Sequence, residues 1–245
     1  MSSLKSDDEM RLNTKQKIYP KQIKITICNK SVFKFKGPET FLKGNNKKII
    51  KKPKNMNNFS RYDNIRRAKD KVFDIASLND FTHFITWTLD KQLIDRYNAK
   101  EVSKKLKFFL SNKRYRNGLA YLIIPERHKD GAIHMHGLIK GNMKFIDSGQ
   151  KTENGKTIYN MPEWKYGYSE AVELNGESNI IAKYITKYIG KGKRKIFGNY
   201  YYAGGNIQRN PDVILCNTDY DELDSIKEYG FPELDLWYKY FTAER

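Results

Sequence analysis

The chain has 245 residues, is 39% hydrophobic and 13% aromatic, and carries a formal net charge of +18. That length holds one large domain or a domain with extensions, and the charge favours a polyanionic partner, nucleic acid ahead of a membrane surface. Two distant cysteines, Cys28 and Cys216, argue against a disulfide framework or a cysteine zinc site and suit a reducing cytoplasm; with no 18-residue apolar run, neither a secretory signal nor a membrane span is read.

In chain order, residues 1–20 read as a flexible leader. Lys21–Lys36 alternates apolar and polar residues and predicts one or two strands, ended by Gly37-Pro38. Lys43–Lys71 holds Lys47, Lys48, Lys51, Lys52, Lys54, Arg61, Arg66 and Arg67. It is either a solvated loop leading into the polar face of a helix or a phosphate-contacting segment. Ser60 or Asp63 would cap a helix running through Ile65, Val72, Phe73, Ala76 and Leu78. Phe81–Leu89 is rich in β-formers and predicts a central strand. Asn98 and Glu101 have the form of a capping box ahead of a helix through Leu106, Phe109 and Leu110.

Gly118–Glu126 predicts a second buried strand. Lys129-Asp130-Gly131 is a turn, and Ala132–Leu138 follows as a strand carrying His134 and His136. Gly141–Trp164 reads as a mobile, polar insertion. Tyr166–Leu174 predicts a strand, Gly176–Gly190 a helix ended by glycine, and Asn199–Ala203 a last strand. Residues 210–245 form a tail with nine acidic and three basic residues, net −6, so the preceding 209 residues carry +24. The order of elements predicts an α+β domain over 21–209, with a basic N-terminal extension: an antiparallel sheet of about five strands with helices packed on it. Asn154-Gly155-Lys156-Thr157 resembles the end of a phosphate-binding loop, but position 150 is Gln where that loop needs Gly, and ATP hydrolysis is not expected.

His134 and His136 are two of only four histidines. A random scatter would give an H-x-H pair about 0.07 times. On a strand both point to one face, a natural start for a metal site. Glu126 is the carboxylate that would complete it, and hairpin register decides whether it can. A three-residue turn, Lys129-Asp130-Gly131, sets Glu126 opposite His134; a two-residue Asp130-Gly131 turn sets it opposite Met135. The turn residues slightly favour the shorter form and the chemistry favours the longer. His128 shares the face of Glu126 in either register. On a helix Tyr184 and Tyr188 are one turn apart, each followed three residues later by a lysine, Lys187 and Lys191. A phenol is a weak nucleophile at neutral pH, and a nearby ammonium or divalent ion favours the phenolate that can attack phosphorus.

The stretches Phe84–Leu89 (FITWTL), Ala132–Leu138 (AIHMHGL) and Tyr184–Tyr188 (YITKY) resemble, in order, motifs I, II and III of the HUH endonucleases. These include the rolling-circle replication initiators, or Rep proteins, of single-stranded DNA phages. The resemblance spans roughly Phe81–Ala203. It implies a ferredoxin- or RRM-like fold and a nickase and ligase for single-stranded DNA at a replication origin. His134, His136 and Glu126 would hold Mg²⁺ or Mn²⁺. Tyr184, then Tyr188, would attack the scissile phosphate to leave a 5′-phosphotyrosine, assisted by Lys187 and Lys191. The freed 3′-hydroxyl would prime a host DNA polymerase working with a host helicase. Thr86, Thr88, His128, Arg66 and Arg67 are the candidate DNA contacts. Other readings are an HUH transposase or relaxase, although relaxases carry a third histidine that this chain lacks there. A metal-dependent oxygenase and a nucleic-acid-binding module without catalysis are the remaining alternatives.

Overall fold

Alternating stretches at both ends of the chain pair with each other in the computed structural model, which describes residues 11–34, 59–176, 178–189, 195–223 and 228–244. The chain divides into two units, residues 56–210 and residues 1–55 with 211–245. In the smaller unit β1 (Arg11–Leu12) pairs with β4 (Phe33–Lys34). β2 (Thr14–Ile18) pairs with β3 (Gln22–Cys28). From the C-terminal region come β12 (Asp212–Cys216), β13 (Glu228–Phe231) and β14 (Leu236–Glu244). They complete a five-stranded antiparallel sheet of order β12-β2-β3-β14-β13.

This corrects the reading of a flexible leader and an acidic tail flanking one domain. Lys15 and Lys17 made the leader look merely polar, while their alternation with Thr14, Gln16 and Ile18 is that of a strand. The tail has the same property: Trp237, Lys239 and Phe241 point one way, and Tyr238, Tyr240 and Thr242 the other. Most of the basic run, Lys47 to Lys54 included, lies outside the described residues, as does the Gly37-Pro38 stop.

The larger unit holds α1 (Phe59–Leu78), β5 (His83–Leu89), α2 (Ala99–Asn117), β6 (Ala120–Arg127) and β7 (Ile133–Lys140). β8 (Ile146–Lys151), β9 (Thr157–Asn160), β10 (Gly167–Glu173), α3 (Ser178–Ile185) and β11 (Tyr202–Gly204) follow. Its seven-stranded sheet has the order β11-β6-β7-β5-β10-β9-β8, antiparallel throughout, with β5 in the middle. The fold is α+β, with two more strands in this sheet than expected. α1 begins at Phe59, so Ser60 and Asp63 lie within the helix instead of capping it.

Alternation splits the two faces of this sheet. Ile85, Trp87, Ile123, Ile133, Met135 and Ile139 form one core with Val102, Leu106, Phe109 and Leu110 of α2. Leu122, Ile124 and Leu138 form the other with Val72, Ile75 and Ala76 of α1 and Ala182 and Ile185 of α3. α2 is held at both ends. Asn98 accepts hydrogen bonds from the Lys100 and Glu101 amides, and Gly118, left-handed at φ 61°, donates its N–H to the Lys113 carbonyl.

The extra strands come from Gly141–Trp164. This stretch is anchored because Met143, Met161 and Trp164 are buried in the α2-side core. Trp164 stacks on Trp87 at 4.6 Å and 9°, and Phe109 meets both rings edge-on. The lookalike Asn154-Gly155-Lys156-Thr157 belongs to the β8–β9 turn: the Thr152 amide bonds the Lys156 carbonyl, Gly155 sits at φ 75°, and no helix follows.

Candidate active site on the sheet

The site lies on the α3-side face of the three strands β6, β7 and β5. The turn between β6 and β7 decides it. His128 N–H donates to the Ala132 carbonyl and Gly131 N–H to the His128 carbonyl, leaving a loop of Lys129, Asp130 and Gly131. Gly131 takes φ 85°, which favours glycine. Arg96 pairs with Asp130 at 3.0 Å, and Arg127 Nη1 donates to the Gly131 carbonyl at 2.6 Å, so the loop is pinned from two sides. This is the longer of the two turns considered, and it places Glu126 directly opposite His134. Its backbone bonds and two arginine contacts outweigh the slight preference of the turn residues.

β5 supplies the next layer. Trp87 goes into the α2-side core while its neighbours Thr86 and Thr88 face the other way, opposite His136 and His134. Thr88 Oγ1 lies 3.2 Å from His134 Nδ1, and Thr86 Oγ1 lies 3.3 Å from His136 Nδ1. Each Nδ1 thus meets a threonine hydroxyl, which orients the ring and turns its Nε2 toward the middle of the face. His136 Nε2 is 3.1 Å from Glu126 Oε2. His134 stacks on His128 at 3.5 Å and 14°. Burial pulls the His134 pKa below the ordinary imidazole value, and the neighbouring His128 adds to that, so the neutral ring is favoured.

The tyrosines arrive from α3. Ala182, Ile185 and Ile189 are buried, which turns Tyr184 and Tyr188 toward the histidines. The α-helix ends at Ile185, earlier than expected, and Thr186–Tyr188 is a 3-10 turn. The Thr186 hydroxyl donates to the Lys183 carbonyl at 2.8 Å, a local bond that competes with helix continuation. The two phenols still meet, with their oxygens 2.7 Å apart. Tyr188 stacks on His136 at 3.9 Å and 24°. Burial raises the Tyr188 pKa well above that of a free phenol, followed by its hydrogen bond with Tyr184 and the charges of Tyr184 and Glu126. Tyr184 is exposed, and Lys187 Nζ lies 5.5 Å from its ring centre.

Six of the expected residues thus share one face in direct sequence of contact: Glu126, His134, His136, Thr86, Thr88 and Tyr188, with Tyr184 bonded to Tyr188 and His128 against His134. Lys187 stands over Tyr184, whereas Lys191 lies outside the described residues. Arg66 and Arg67 are exposed on α1. Thr86 and Thr88, expected as DNA contacts, hold the histidines. Sequence reasoning passed over Phe84, which lies 5.5 Å from Tyr184, 6.2 Å from His136 and 6.4 Å from Tyr188. Period two along β5, from Phe84 through Thr86 to Thr88, was the available signal.

Two imidazoles and a carboxylate suit a divalent ion. Among the described residues, no three His, Cys, Asp or Glu side chains stand as a ready ligand group. His136 and Glu126 instead touch each other directly.

No helix among the described residues is long and apolar enough to cross a membrane. No curated protein and no solved structure matches the chain. Residues 82–193 match the family of replication-associated proteins of the ORF2 and gene 2 protein type. The matched span contains every residue of the site just described and stops short of the smaller unit. The match supports a Rep-type replication initiator, and with it an interaction with DNA at an origin.

Proposed function

We propose that the chain nicks and rejoins single-stranded DNA at a replication origin through a 5′-phosphotyrosine. The observation that carries this reading is the pair of phenol oxygens 2.7 Å apart, one of them on a ring stacked against His136. His134, His136 and Glu126 would hold the ion, Mg²⁺ or Mn²⁺. When bound, it supplies a Lewis acid that polarises the scissile phosphate and favours the phenolate.

The chain's own residues divide the remaining work. Thr86 and Thr88 keep each Nδ1 engaged, so that each Nε2 would face the ion, with Glu126 turning from His136 to share it. Tyr184, the exposed phenol, is the first nucleophile: its Oη–P bond forms as the bond from phosphorus to the 3′ oxygen breaks. The Tyr184 phenol gives up its proton to solvent as the phenolate forms. Tyr188, still protonated, donates its O–H to Tyr184 Oη and stabilises that charge, and the departing 3′ oxygen takes up a proton from solvent. Lys187 offers a cation beside Tyr184, while burial and Glu126 hold Tyr188 protonated until its turn. After a round of synthesis Tyr188 attacks the regenerated site, and the freed 3′-hydroxyl attacks the Tyr184 phosphodiester, closing the circle and releasing the phenol.

The freed 3′-hydroxyl is the primer for a host polymerase, with a host helicase opening the duplex. End-labelled oligonucleotides test the polarity. Incubation with Mn²⁺ and a tiled single-stranded library of the DNA that encodes the chain should move only the 3′ label onto protein. The 5′-labelled fragment should be extendable by a polymerase. A 5′ label on protein, or no cleavage anywhere in the library, overturns the reading. A chain that binds these oligonucleotides without cutting them would be a binding module.

A further inference from the structure

The five-stranded sheet has two unlike faces. Directly opposed antiparallel residues share a face, and residues alternate along each strand. Ile23, Ile25, Ile27, Trp237, Lys239 and Phe241 therefore lie on one side, where Ile27 and Lys239 are buried. Lys239 is matched there by Glu228, 3.4 Å away, and by the Tyr220 carbonyl at 2.9 Å. The opposite side carries Lys15, Lys17, Lys24, Tyr229, Tyr238 and Tyr240.

On that side the three phenol rings lie nearly parallel. Tyr229 is 5.8 Å from Tyr238 at 25° and 5.1 Å from Tyr240 at 29°. Tyr240 is 45% exposed, and Lys24 Nζ is 6.0 Å from its ring centre. Lys15 Nζ lies 5.1 Å from the ring of Phe33. Six of the nine acidic residues of the C-terminal region are placed elsewhere. Glu228 and Asp212 belong to the apolar side, Asp235 pairs with Lys30 at 2.8 Å, and Asp219, Asp221 and Glu222 precede β13 in a loop. Glu244, opposite Gln22 at the end of β14, is the one acid of that region, among the described residues, whose register puts it on the tyrosine side. Within the acidic C-terminal region and its partner strands, the described residues thus include a face that carries aromatic rings and lysines.

Gln22 and Cys28 on this side are buried, and Tyr240 is its exposed ring, with half-buried Tyr229, Tyr238, Lys17 and Lys24 around it. Aromatic rings interleaved with lysines meet the two needs of a single strand: flat surfaces for bases and cations for phosphates. We propose that the Tyr229–Tyr238–Tyr240 face of the smaller unit is a docking surface for single-stranded DNA, with bases stacking from Tyr240 inward and phosphates meeting Lys24 and Lys17. It shares the nucleic-acid partner with the nicking site but uses none of that site's residues, so the two readings fail separately: one in a binding assay without metal, the other on a denaturing gel with it.

The full-length chain in EDTA is titrated into a fluorescent oligothymidine, with anisotropy as the readout. Tyr240→Ala is expected to weaken binding about tenfold, and Tyr240→Phe to keep it, because the ring supplies the stacking. Lys24→Gln is expected to weaken binding and to flatten the salt dependence by about 0.7 in log–log slope. Photocrosslinking of the parent chain to an iodouridine-substituted strand should mark peptides from residues 228–244 and 22–28. Tyr240→Ala and Lys24→Gln binding within twofold of the parent would overturn the proposal, and so would crosslinks confined to residues 56–210. A tighter grip on oligouridine than on oligothymidine would overturn the assignment to DNA.

Discussion

The two sheets of this chain use the same alternation to opposite ends. In the seven-stranded sheet helices and cores line both faces, and the polar side chains of β5, β6 and β7 are wired to one another: threonine to histidine, histidine to glutamate, histidine ring to tyrosine ring. In the five-stranded sheet one face is largely apolar and the other carries lysines and tyrosines, with Tyr240 exposed. Fixed hydrogen bonds hold groups where a reaction can use them. An open platform suits a flexible polymer that must slide and exchange. The comparison therefore assigns chemistry to one sheet and grip to the other.

The largest expected effect separates these roles. Replacing both Tyr184 and Tyr188 by Phe should abolish covalent attachment to DNA on a denaturing gel while leaving oligothymidine anisotropy within twofold of the parent. A matching loss of affinity would merge the two roles and break the comparison. Next come the threonines. Thr86→Val and Thr88→Val each remove the hydroxyl that holds a histidine Nδ1, and calorimetric titration with Mn²⁺ should show affinity falling roughly 10- to 100-fold. Unchanged affinity would mean that the wiring is ornamental.

Much of this site was legible because short-range rules decide it. Period two puts His134 and His136 on one side and splits Trp87 from Thr86 and Thr88. Helical spacing pairs Tyr184 with Tyr188, and the bond survives even though the helix tightens into a 3-10 turn. The register of Glu126 was left open because it depends on how Arg96 and Arg127 pin a three-residue loop, and the partner of Arg96 is far away in sequence. The smaller unit was illegible for a related reason. Its strands pair across most of the chain, Lys17 opposite Val213 and Lys24 opposite Thr242, and charge counting obscured alternation that was present in both segments. Gly141–Trp164 looked mobile because its polar turns outnumber its anchors, yet Met143, Met161 and Trp164 are enough to fasten it.

A smaller effect probes the packing behind the catalytic strands. A Cβ at Gly137 would stand 2.4 Å from Ile123 Cδ1 and 2.8 Å from the Leu122 carbonyl. Gly137→Ala is expected to cost about 1–3 kcal/mol in thermal unfolding, the usual toll of overpacking. A melting temperature equal to the parent's would show that the central strands are looser than the wired site requires.

The smallest effect is a pH dependence at the start of the central strand of the same sheet. Burial lowers the His83 pKa from 6.5, partly offset by the charge of Glu173. A folded-state pKa below the unfolded one makes the native state bind fewer protons, so this contribution is complete above about pH 6.5 and is lost as pH falls through the lowered value. Urea midpoints should drop modestly on acidification, and His83→Gln should remove part of that drop. A steeper fall in the variant would reverse the sign and count against burial as the cause.

The central claim is that the paired tyrosines make the covalent bond to DNA. Mass spectrometry of the nuclease-trimmed adduct tests it most directly, with protein, Mn²⁺ and a cleavable single-stranded oligonucleotide. The account predicts a nucleotide on Tyr184 in the parent chain and on Tyr188 in the Tyr184→Phe variant. A nucleotide on any other side chain, or none on either tyrosine where cleavage is complete, would contradict it.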